Sequence, residues 1–126
     1  MDYHTRMARG APLAVVEMPE FVSASCKLMD EAERTSLVLF LAFNPEAGDL
    51  VTGTGGVRKL RWGLEGRGKR GGARVIYYFH SQRIPLFIIT AYAKNSQDDI
   101  SASDRNDMKR LVKALALNAQ HKRMQP

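Results

Sequence analysis

The sequence has a single cysteine, Cys26, so no internal disulfide can form, and a reducing compartment such as the cytoplasm is expected. Its three histidines, His4, His80 and His121, are far apart, and no Cys/His cluster has the spacing of zinc ligands. No metal site and no cofactor are expected. The longest apolar run, Leu37–Phe43, is far shorter than the roughly 20 residues that span a bilayer. That argues against a membrane protein. Met1–Gly10 lacks the apolar stretch of a secretory signal. Those ten residues read as a flexible tail, and Met7 offers a second candidate start.

What the chain does have is charge concentrated in one place. Lys plus Arg total 19 against 13 Asp plus Glu, a net charge of +6. Between Val57 and Arg74 lie Arg58, Lys59, Arg61, Arg67, Lys69, Arg70 and Arg74, with only Glu65 opposing them, so that stretch nets 7 − 1 = +6. The remainder nets 12 − 12 = 0. A hydrophobic share of 44% is enough for an ordinary core, which argues against wholesale disorder and makes residues 11–120 a single domain.

Hydropathy patterning gives the elements. Leu13–Met18, with its apolar run Leu13–Val16, reads as a strand, and Pro19-Glu20 suits the start of a helix that runs to Met29. A second helix begins near Asp30, with Asp30, Glu31 and Glu33 complementing its dipole, and Asn44-Pro45 ends it. Asp49–Gly56 is a glycine-rich connection. Val57–Gly63 alternates, with Lys59 and Arg61 on one face and Leu60 and Trp62 on the other. Leu64–Gly72 is a basic glycine loop. Ala73–Phe79 and Leu86–Ala93 read as central strands. A last helix follows Ser101-Ala102-Ser103-Asp104, a capping-box pattern, and residues 121–126 are expected to fray. The order β-α-α-β-β-β-α predicts an α+β fold: a small, mainly antiparallel sheet packed on an N-terminal helical pair, with a C-terminal helix and the helices on one sheet face. Cys26 is expected to be a small buried hydrophobe.

Gly66–Gly71 matches G-x-G-x-x-G, but the following segment is β-forming where a dinucleotide site needs a helix. Gly63–Lys69 matches G-x-x-x-x-G-K, yet Arg70 replaces the Ser or Thr that holds magnesium. Neither carries nucleotide chemistry. A cluster of like charges repels itself and costs stability. Contact with phosphate explains it better, since arginine offers a planar fork and lysine a movable point charge. Tyr92, Lys94 and Asn95 form a second polar group at the end of a buried strand, with Tyr92 and Lys94 on one face. Tyr77, Tyr78 and Phe79 fit core packing better than base stacking.

Gly53-Thr54-Gly55-Gly56-Val57-Arg58-Lys59-Leu60-Arg61, then Gly66–Gly72 with Arg74-Val75-Ile76-Tyr77-Tyr78, then Ile88–Asn95 and Asp98-Asp99-Ile100, resemble RelE/HigB-like toxins of type II toxin–antitoxin modules. The resemblance runs from about Glu17 to Leu115. It implies ribosome-dependent cleavage of mRNA, and a cognate antitoxin, often a helix-turn-helix DNA-binding protein, that neutralises the toxin. It places the family's basic RNA site at Lys59, Arg61 and Arg74, with Lys94 after the last strand. Arg58, Arg67, Lys69, Arg70 and Tyr92 are expected to bind RNA. In this reading Arg61 and Arg74 stabilise charge on the phosphate, and Lys59 or Lys94 serves as base, since crowded cations disfavour one another's charged form. Two rival readings stay open: a ParE-like inhibitor of DNA gyrase, which is not a nuclease, and a non-catalytic RNA-binding module.

Overall fold

The structure is a computed structural model that describes residues 11–64, 72–94 and 100–124. The tail Met1–Gly10, most of the basic loop with Arg67, Lys69 and Arg70, and Asn95, Asp98 and Asp99 lie outside the described residues.

The chain forms β1 (Val15–Glu17), α1 (Pro19–Leu28), α2 (Glu31–Phe43), β2 (Asp49–Leu50), β3 (Val57–Trp62), β4 (Ala73–Tyr78), β5 (Leu86–Ala93) and α3 (Ala102–Met124). The described strands build one sheet in the order β1-β5-β4-β3-β2. β1 pairs with β5 in parallel, and the other pairs are antiparallel. The α+β expectation holds, with β2 added inside what the sequence marks as a connection. β1 lies inside the expected Leu13–Met18 strand, where Val15–Glu17 finds its partners at Leu86–Ile88.

Alternation along the strands sorts the core into two halves. On one face Leu60, Val75, Tyr77, Leu86 and Ile88 pack with Phe21 of α1 and Leu37 and Leu41 of α2. On the other Val57, Ile76, Tyr78, Phe87 and Ile89 pack with Val112, Met108 and Leu115 of α3. So the helices do not share one face, as the sequence pattern suggests: α3 covers the face opposite the pair. The reason is that both faces of β4 and β5 are apolar, and each requires a cover.

Local chemistry fixes the ends of these elements. Pro at the first helical position starts α1, and Lys27 lies in its last turn. Asp30 and Glu33 form a reciprocal capping box at α2: the Asp30 carboxylate accepts from the Glu33 N–H at 2.8 Å, and the Glu33 carboxylate accepts from the Asp30 N–H at 2.9 Å. The Ser101 hydroxyl accepts from the Asp104 N–H at 3.1 Å and caps α3. Cys26 is exposed, contrary to expectation. Phe21 and Ser25, one turn apart, occupy the buried stripe of α1, and the next residue turns out to solvent.

The turn into β3 depends on Gly53-Thr54-Gly55-Gly56. Gly55 and Gly56 have φ of +80° and +126°, a region other residues rarely adopt. Thr54, fully buried, donates to the Val51 carbonyl at 2.7 Å and accepts from the Val57 N–H at 3.1 Å.

Candidate active site

β3 is anchored by its apolar side. Leu60 is buried against the helical pair, and Trp62 meets the Phe40 ring of α2 at 5.4 Å between centroids. The pleat then turns Lys59 and Arg61 to the opposite face. Register does the rest. Arg61 pairs with Arg74, and Arg74 pairs with Tyr92, so three side chains form a row across β3, β4 and β5. The adjoining row is Lys59, Ile76 and Thr90. Beyond the first row, the Lys94 N–H donates to the Gly72 carbonyl at 3.1 Å, which places Lys94 at the foot of the basic loop. Arg61 and Lys94 are exposed, and Lys59, Arg74 and Tyr92 are half-buried. Of the nine sequence-predicted residues, Lys59, Arg61, Arg74 and Tyr92 share one sheet face, and Lys94 follows at the end of β5.

Two arginines directly opposite each other on neighbouring strands repel, at an expense a packed sheet normally avoids. Such a pair suits an anion, because two planar forks grip phosphate oxygens from two sides.

Arg58 is not part of this surface. It pairs with Tyr77, on the face of the helical pair, and its guanidinium donates to the Gly48 carbonyl at 2.7 Å and the Glu46 carbonyl at 3.2 Å. It clamps the β2 loop to β3. Its neighbour Tyr77 does the same from below: its hydroxyl donates to the Pro45 carbonyl and accepts from the Gly48 N–H, both at 2.8 Å. Burial pushes the Tyr77 hydroxyl pKa up, opposed in smaller part by its bond with the Gly48 backbone. Gly48 must be glycine here, since a Cβ would sit 2.9 Å from the Tyr77 ring and 3.0 Å from the Lys59 carbonyl oxygen. His80 is exposed past the end of β4, with its ring edge-on to Tyr78.

Thr90 is the site neighbour that the sequence does not single out. Strict alternation would put Ile88 on the face of Tyr92, but a bulge intervenes: Ile76 pairs with Thr90 and Tyr77 with Ile88, leaving Ile89 as the extra residue. Only a hydroxyl in an apolar strand hinted at it. Among the described residues, no group of three or more His, Cys, Asp or Glu is placed to hold a metal ion. No helix among them is long and apolar enough to cross a membrane.

Fold and site thus define a small α+β protein whose sheet presents a cationic row suited to a phosphate backbone. The family model for the RelE toxin of the RelE/RelB toxin–antitoxin system matches residues 46–125, a span that contains every residue of the row. The chain belongs to the RelE toxin family. Its fold is similar to that of a free-state mutant of the E. coli toxin RelE, with a TM-score of 0.52 and 16% identity over 81% of this chain and 98% of that one. At that identity the likeness is one of fold.

Proposed function

We propose that this toxin is a metal-independent endoribonuclease that cuts mRNA on the ribosome, acts in the cytoplasm, and is neutralised by a cognate antitoxin, as its family implies. The observation that carries the reading is the Arg61–Arg74 pair, two like charges held opposite each other and completed by Tyr92. In the proposed reaction a ribose 2′-hydroxyl of the RNA attacks the adjacent phosphorus. The bond to the 5′-oxygen breaks, which leaves a 2′,3′-cyclic phosphate and a 5′-hydroxyl. Arg61 and Arg74 bind the phosphate oxygens as negative charge builds on them. Lys59 or Lys94 takes the proton from the attacking hydroxyl or orients it, and Tyr92 positions the substrate. Arg67, Lys69 and Arg70 extend the grip along the RNA backbone, either messenger or ribosomal.

The test is inducible expression with growth and primer extension as readouts. Arg74→Ala is expected to cut the cleavage rate by about 10²–10³, the usual loss for one charge-stabilising donor, and to restore growth while antitoxin binding is kept. Full toxicity from a folded Arg74→Ala protein would refute the assignment. An SOS response without mRNA cuts from the unaltered chain would favour gyrase inhibition instead.

A further inference from the structure

We propose that the cavity beside the cationic row reads one base of the RNA, accepting a nucleobase with amino or paired N–H donors and disfavouring uracil. The inference rests on the RNA-cleavage reading and adds a specificity element to it.

The cavity lies between β5 and the first turns of α3 and measures about 440 Å³, inside the roughly 300–1,000 Å³ range of small-ligand sites. It is continuous with the site. Tyr92, the third member of the arginine row, lines it, and so do Ile76 and Thr90 from the row of Lys59. A phosphate held on Arg61 and Arg74 therefore brings its own nucleoside to the mouth of the cavity.

The lining has the three surfaces a base requires. Ile76, Ile89 and Leu111 supply an apolar floor, and Tyr92 supplies an aromatic wall. Glu20 of α1 and Asp104 of α3 supply hydrogen-bond acceptors from two separate elements. Asp107 also borders the cavity, but its carboxylate is engaged by Arg110. Among the described residues, no lysine or arginine lines it. Carboxylates repel phosphate, so the backbone is not the occupant. The part of RNA that donates to a carboxylate is the edge of a base.

Asp104 in the first turn of α3 also complements that helix's dipole. Glu20 has the same role in the first turn of α1, and what the fold adds is that the two helix starts border one void. Base chemistry then sets the order of preference. Guanine offers adjacent N1–H and N2–H₂ groups to the two oxygens of one carboxylate. Cytosine and adenine each offer one amino group. Uracil offers a single ring N–H between two carbonyl oxygens, and both of those face a carboxylate unfavourably.

The experiment measures binding without cleavage. The full chain is titrated with 2′-O-methylated pentamers: an all-uridine strand, and three strands with a central cytidine, adenosine or guanosine. The wild-type protein is expected to bind the three at least about fivefold tighter than all-uridine, the lower end of a good base contact. Asp104→Ala and Glu20→Gln, on different helices, should each shrink that preference, and Arg61→Ala should weaken all four strands together. Equal wild-type binding of the four, or a preference that survives both substitutions in proteins with unaltered melting, would overturn the pocket. Primer extension on the unaltered chain is scored separately. Absence of mRNA cuts alongside an intact base preference would defeat the nuclease reading and leave the pocket standing.

Discussion

Tyr77 shows how a single residue ties the core to the loop before β2. Its ring is fully buried, and its hydroxyl ties Pro45 and Gly48 to the strand beneath Arg58. Tyr77→Phe leaves the Gly48 N–H and the Pro45 carbonyl short of a partner, at an expected loss of about 1–3 kcal/mol in urea unfolding at pH 8. The pH dependence has a definite sign. The folded-state pKa of Tyr77 is raised, so its contribution is fully present below the unfolded value of about 10 and is lost as pH climbs through the folded one. The stability gap between wild type and Tyr77→Phe should therefore narrow above about pH 10. A gap that stays constant to higher pH would contradict the assigned cause. Tyr77 is legible in the sequence as core, but its hydroxyl's partners, 29 and 32 residues away, are not.

At the scale of elements, β3 is a strip with two jobs. One side, Leu60 and Trp62, holds it to the helical pair, and the other side presents Lys59 and Arg61. Period-two alternation makes this legible from the amino-acid order alone. The helix beneath it, α2, depends on its capping box. Asp30→Ala removes the acceptor for the Glu33 N–H and is expected to lower stability by about 1 kcal/mol. It should leave cleavage per folded molecule unchanged, since Asp30 lies on the face opposite the arginine row. A thermal melt together with a cleavage assay checks both halves. The capping box is present in the sequence as Asp30 followed three residues later by Glu33. Acidic crowding at the helix start draws attention to the dipole and away from the reciprocal bond.

Across the whole molecule the charge is sorted, not neutral with one cationic stretch. From Glu17 to Asp49, the segment with both helices of the pair, there are seven acids and two bases, a net of 2 − 7 = −5. From Ala102 to Gln120, α3 carries four bases and two acids, a net of 4 − 2 = +2. The sheet separates the two, because the pair and α3 cover opposite faces. The face with Lys59, Arg61 and Arg74 is thus backed by a basic helix, and the far face is acidic. An approaching RNA is steered to one side. If about five cations each neutralise a phosphate of single-stranded RNA, log affinity should fall against log salt with a slope of about −3.5. Affinity that barely responds to salt would refute phosphate-backbone binding.

The sequence by itself determined the order of most elements, the two central strands, and the face on which Lys59 and Arg61 lie, because these follow from local period and local caps. It also determined that the charge is concentrated, because charge is additive along a chain. Tertiary structure alone decided the row. That Arg61 stands opposite Arg74 and Arg74 opposite Tyr92 is a matter of register between strands far apart in the chain, and the bulge at Ile89 resets that register midway along β5. It alone removed Arg58 from the surface, by giving its guanidinium two carbonyls on the other face. It alone brought Glu20 and Asp104, 84 positions apart in the sequence, to one cavity. Local pattern fixes which way a side chain points from its own strand or helix. Which side chains it meets is fixed only when burial of both faces of β4 and β5 forces the helices to opposite sides.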